Sequence, residues 1–192
     1  VMAERTIHEI VAFTGDLGSQ KADLLALPLA KGRLELPAEL TALTGGRGPL
    51  HTLLGSGDFK GESNRTALVY GACEAFPRIL LVGMGDPAKL GAESLRQAAA
   101  TAARAGRDLS CDEMALVLPV REIESLPATD QVGIAAEAAL LGTYEFDAPK
   151  AKREEDARRI GRLSLCVPGG ADEDAVSRAL RSGMIRARGT NL

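Results

Sequence analysis

The sequence predicts a three-layer α/β domain, a mixed sheet of about six strands with helices on both faces. Three observations carry that prediction. Six short apolar runs recur along the chain, and three or four segments of helical period interleave with them. The first strands also follow one another too closely for a crossover helix, which favours a mixed sheet over a purely parallel one.

Residues 6–13 are β-prone and closed by Gly15, Asp16 and Gly18, so they read as a strand. Residues 22–29, ADLLALPL, form a continuous apolar run suited to a strand covered on both faces. Leu36, Leu40 and Leu43 are spaced for a short helix over 37–43, which Thr44-Gly45-Gly46 stops. Residues 50–64 are rich in Gly, Ser and charge and read as a loop or edge hairpin. Two further strands, 66–70 and 78–82, lead into a glycine turn at Gly83-Met84-Gly85.

The following helix puts Leu95, Ala98, Ala99, Ala102 and Ala105 on one face. Glu93 in its first turn and Arg104 in its last complement the helix dipole. Residues 114–120 are another buried strand. A helix over 130–144 carries a stripe of Val132, Ala136, Ala139, Leu140 and Thr143. The run 150–159, KAKREEDARR, is a solvated connection of alternating charge. Residues 163–167 make the sixth strand, and Asp172 caps a last helix striped by Val176, Ala179, Leu180, Gly183, Met184 and Ala187.

Composition bounds the chemistry. At 192 residues the chain suits one domain, and roughly 70% of its unfolded surface is buried on folding. With no Trp, two Tyr and four Phe, its core rests on Leu, Val, Ile and Ala. Twenty-three basic against 26 acidic residues leave a net charge of −3, which offers no global field for nucleic acid or an anionic membrane and leaves open only a local basic patch. The N-terminus lacks a signal pattern and no apolar run reaches membrane-spanning length, so the expectation is a soluble, cytoplasmic protein. Cys73, Cys111 and Cys166 are odd in number and widely spaced, and read as buried structural thiols.

Gly83-Met84-Gly85-Asp86-Pro87-Ala88 formally satisfies the dinucleotide fingerprint G-x-G-x-x-A. Asp86, however, puts negative charge where a pyrophosphate would sit, Pro87 lacks an N–H, and the helix starts too late to aim its N-terminus there. His8, expected on a strand face, and His51, expected in a loop, have no metal-type spacing to any partner. Ser56 lacks the strand-to-helix context of a nucleophile elbow. No catalytic, cofactor-binding or metal residue is therefore assigned. Thr44-Gly45-Gly46-Arg47-Gly48 remains an alternative as a phosphate-facing loop.

Three motifs together narrow the field. GDFKG at 57–61, RILLVGMGDPAKLGAESLRQAAATAARA at 78–105 and EAALLGTYEFDAPKAK at 137–152 resemble, in order and spacing, the N-terminal domain of the leucyl (cytosol) aminopeptidase family. Ala138 stands where that family often has Gly, and Ala148-Pro149 replaces a more polar pair. The last residues, 186–192, resemble the approach to the family's A-R-D-L-x-N segment, so the domain is expected to span 1–185 and a connection to an absent catalytic domain to begin at 186.

The resemblance implies a macro-domain-like fold. It implies a parent that removes N-terminal residues, leucine among them, with two divalent metals, Zn or Mn, typically as a hexamer. It also implies that every metal ligand lies in a C-terminal domain, so this chain is expected to be a non-catalytic scaffold, inactive alone, whose partners are that catalytic domain and other copies. The alternative is a macro-like module binding ADP-ribose or a related nucleotide.

Overall fold

The computed structural model describes residues 6–144 and 158–190. Six strands are present: β1 Ile7–Phe13, β2 Leu24–Ala30, β3 Thr66–Tyr70, β4 Arg78–Gly85, β5 Glu113–Val117 and β6 Ile160–Cys166. They form one sheet in the order β1-β6-β5-β2-β4-β3. Every neighbouring pair is parallel except β3–β4.

The sheet is mixed, as expected, but for a different reason. β1 and β2 are not neighbours; β6 and β5 lie between them. The antiparallel member is the edge strand β3, joined to β4 through a short connection in which Gly71 N–H donates to the Pro77 carbonyl at 2.8 Å.

Period-two alternation divides the sheet's side chains between two cores. Leu24, Ala26, Leu80, Val82, Met114, Leu116, Leu163 and Leu165 face one side, where three long helices lie: α3 Ala92–Asp108, α4 Ala128–Thr143 and α5 Glu173–Thr190. Leu25, Leu27, Leu29, Ile79, Leu81 and Cys166 face the other, under two short helices, α1 Ala38–Thr44 and α2 Pro49–Ser56. Helices thus cover both faces, completing the three layers.

The long helices match their stripes closely. On α3 Leu95, Ala98, Ala99 and Ala102 are buried, while Ala105 is only half-buried and Ala103 and Gly106 join the core. This helix runs on to Asp108, so Arg107 rather than Arg104 occupies its last turn. Asp172 Oδ1 accepts the Asp174 and Ala175 amides at 2.9 and 3.3 Å, capping α5 as expected. α5 then continues unbroken across position 186 to Thr190.

α4 is buried more widely than its stripe, because α3 and α5 flank it and the sheet lies below. Gln131, Gly133, Ala135 and Ala138 are buried with Val132, Ala136, Ala139 and Thr143, whereas Leu140 is only half-buried. Glycines set the helix spacing. A Cβ on Gly183 would overlap the Gly133 carbonyl, and one on Gly142 would lie 2.7 Å from Ala100 Cβ.

The other face departs from the sequence expectation. Residues 49–56 are helical rather than loop, since Pro49 fits the first turn and Gly57 closes the last at φ +78°. Leu50 is buried and Leu53 and Leu54 pack against the same core, which is helical spacing inside a polar-looking stretch. The fifth strand also ends sooner than expected, at Val117. The charged run 150–159 and the end of the third family motif lie outside the described residues, apart from the exposed Arg158 and Arg159.

Candidate functional site

In a parallel sheet the carboxyl ends of the strands are where ligands are expected, so the glycine segment at the end of β4 comes first. It is not a turn. Gly83, Met84 and Gly85 are the last residues of the strand, and the turn comes afterwards, at Asp86, whose Oδ1 accepts the Ala88 amide at 3.0 Å.

The amides that phosphates would need are already engaged. Gly83 N–H donates to the Arg65 carbonyl at 2.8 Å and Gly85 N–H to the Gly61 carbonyl at 2.9 Å. Asn64 N–H returns a bond to the Gly83 carbonyl at 3.1 Å, and Lys31 N–H donates to the Gly85 carbonyl at 2.8 Å. The glycines are required by this contact. A Cβ on Gly83 would collide with the Glu62 carbonyl, and one on Gly61 would sit 2.6 Å from the Ala30 oxygen. Gly61 and Gly85 also hold φ +73° and +87°, a region costly for residues bearing a Cβ.

Two motifs that look separate in the sequence are therefore one structural unit. The GDFKG segment lies across the ends of β2 and β4, with Phe59 buried in the second core as its anchor. Its exposed charge is modest: Lys31 and Glu62 approach to 3.9 Å, both half in solvent.

Thr44-Gly45-Gly46-Arg47-Gly48 does not present a phosphate cradle. Gly45 and Gly46 both have left-handed φ and donate their amides to the Ala42 and Thr41 carbonyls at 3.2 and 3.0 Å, closing α1. Gly48 then starts α2, its carbonyl accepting the Thr52 amide at 3.0 Å. Helix termination thus uses two of the donors that anion binding would need.

The remaining candidates stay apart. His8 is exposed on β1. His51 lies on α2 rather than in a loop, and its Nε2 is 2.8 Å from Thr44 Oγ1. Ser56 ends α2 with its Oγ 2.8 Å from both the Leu53 carbonyl and Asp58 Oδ2, so it serves the turn. Cys111 and Cys166 are buried, but Cys73 is only half-buried. Burial pushes the Cys111 thiol up to about 11 and the Cys166 thiol up to about 12, which removes nucleophilic thiolate at neutral pH. Arg162 is held above its usual range by a hydrogen bond and ion pair to Glu9 at 2.7 Å, with Glu113 adding to it. No three His, Cys, Asp or Glu side chains converge on a metal position among the described residues. No described helix is long and apolar enough to cross a membrane.

A six-stranded mixed sheet with three helices on one face and two short ones on the other, its end closed by a glycine-pinned loop, defines a macro-like α/β module. Solved structures agree on the fold. A tomato leucine aminopeptidase variant superposes with TM-score 0.75 at 17% identity, over 96% of this chain and 37% of that one. The macro domain of ganglioside induced differentiation associated protein 2 superposes with TM-score 0.65 at 12% identity, over 93% and 85% of the two chains.

Sequence comparison then fixes the family. Residues 26–153 match the family model described as "Cytosol aminopeptidase family, N-terminal domain". A probable cytosol aminopeptidase of Roseiflexus castenholzii is 34% identical over 95% of this chain and 35% of its own length. Another from Acidobacterium capsulatum is 32% identical over 73% of this chain and 27% of its own. The chain belongs to the cytosol aminopeptidase family and corresponds to that family's N-terminal domain. It spans about a third of the length of the curated relatives it matches.

GDFKG and the glycines of β4, more than twenty residues apart in the chain, are in contact in the fold. The signal was present in the glycines: Gly61, Gly83 and Gly85 are each placed where one backbone crosses another.

Proposed function

We propose that this chain is the non-catalytic N-terminal domain of a metal-dependent aminopeptidase about three times its length. In that parent a C-terminal domain holds two divalent metals, Zn or Mn, and removes N-terminal residues such as leucine from peptides in the cytosol. Such metals supply a polarised scissile carbonyl and an activated water. This domain contributes a scaffold for assembly, into a hexamer in the parent, and for access to the active sites, with the connection starting near residue 186.

The observation that supports the reading is the asymmetry of coverage: 95% of this chain aligns with only 35% of a relative, and the matching family model is that of the N-terminal domain.

The test is direct. The purified 192-residue chain, supplied with Mn²⁺, is expected to leave leucine p-nitroanilide unhydrolysed. Turnover at an enzyme-like rate by this chain alone would overturn the reading.

A further inference from the structure

The sheet consists of two halves joined by its shortest ladder. β2, β4 and β3 make one half, and β1, β6 and β5 the other. They meet at β2 and β5, which pair only through Leu24 with Met114, Leu25 with Ala115 and Ala26 with Leu116. Six residue pairs join β2 to β4, and six join β1 to β6.

Apolar patterning does not fix the register at that junction. Side chains alternate between faces with period two, so a slip by two residues keeps each one on its own face and leaves the parallel ladder intact. Moving β2 two residues along β5 would set Leu24 opposite Leu116, Leu25 opposite Val117 and Ala26 opposite Leu118. Every one of these residues is buried and apolar, so the slipped pairs match as the observed pairs do.

Asp23, immediately before β2, does distinguish the two registers. Its Oδ2 accepts the Asp112 and Glu113 amides at 2.9 and 3.0 Å, and its own N–H donates to the Glu113 carbonyl at 2.9 Å. From the first residue of β4, Arg78 Nε donates to the Asp23 carbonyl at 2.9 Å. On the far side Arg162 of β6 lies 4.0 Å from Glu113 Oε1 and 2.7 Å from Glu9 Oε2 of β1. One polar row thus crosses the amino ends of five strands, and Asp23 is where its two halves join. In the slipped register the Asp23 carboxylate would travel about 7 Å. It would leave both amides and arrive level with Ala115, which is 1% exposed. Two charge-assisted hydrogen bonds would be lost and a charge buried in their place.

We propose that Asp23 is the register lock of this sheet: by accepting the two β5 amides it holds one half against the other and excludes the arrangement two residues ahead. The lock concerns how the chain selects a single fold, and it is independent of the aminopeptidase reading.

Amide NMR spectra of the isotope-labelled 192-residue chain test it. Asp23→Ala removes the acceptor and lets the position enter the core. The slipped population is then expected to rise by about a hundredfold or more, which is what two hydrogen bonds to a charged group are worth. β2 and β5 should show a second set of resonances while β1 keeps one. Asp23→Asn retains an oxygen acceptor and should give the single native set. An Asp23→Ala chain with one native set and only a lower urea midpoint overturns the inference, since the side chain would then add stability without selecting a register. So does an Asp23→Ala chain that unfolds outright, because no slipped sheet then competes, and so does an Asp23→Asn chain that splits as the alanine variant does.

Discussion

On one face of the sheet α3, α4 and α5 meet through alanine and glycine, so that helix backbones nearly touch. On the other, α1, α2 and the loops carrying Phe59 and Phe76 cover the strands with leucine and aromatic side chains. The first face gains its stability from close approach along three long elements. The second gains it from volume, with few large groups filling the space under short elements. The difference teaches where each face is vulnerable: the helical face to an added methyl group, the other to a removed ring.

The largest effect is expected on the second face. Phe76 is fully buried, so Phe76→Ala should cost about 3–5 kcal/mol, seen as a lower urea midpoint with an unchanged slope. A loss of less than ~1 kcal/mol would mean that this face can collapse around the gap, and the contrast would fail.

A smaller loss is expected where α4 and α5 cross. Gly183→Ala places a methyl group against the Gly133 carbonyl and should cost about 1–3 kcal/mol. Gly189, on the same helix with nothing within 4 Å of its notional Cβ, is the control. Alanine there should be neutral or stabilising by up to ~1 kcal/mol from helix propensity. Equal melting temperatures for the two variants would show that close approach does not govern the helical face.

The smallest effect is confined to alkaline pH. Each core holds one buried thiol, Cys111 with the long helices and Cys166 on the other side. Burial raises both above the 9.0 of a free thiol, to about 11 and about 12. Unfolded thiols therefore ionise first as pH rises, and stability is full below pH 9 and falls above it. Between pH 9 and the folded values, each thiol steepens the fall by one proton's worth, alike on both faces. Denaturation curves of Cys111→Ala and Cys166→Ala at pH 8 and near pH 10.5 check this. An alkaline limb unchanged in either variant would show that its thiol ionises without unfolding.

Legibility in the sequence followed the same division. The helical face was readable because a repeating stripe such as Leu95, Ala98, Ala99 and Ala102 signals both period and buried side. All six strands were readable because short apolar or β-prone runs of strand length, closed by turn residues or charge, leave few alternatives. The helix at Pro49–Ser56 was not, because eight residues bearing Gly55, Ser56 and His51 have too little periodicity to outweigh their polar look. The site candidates misled for a related reason. Gly83 and Gly85 could serve a turn, a phosphate or a backbone crossing, and local sequence does not distinguish these uses.

By itself, the sequence determined the six strands, the three long helices, the aliphatic core and, through three motifs in order, the family. Periodicity and residue preference are local properties, and a chain of this length states them openly. Only the tertiary structure decided that β1 and β2 lie apart in the sheet, that the mixed character comes from β3, and that GDFKG and the glycines of β4 clasp one another. Those outcomes depend on which backbone passes over which. Glycine permits such a crossing without naming its partner.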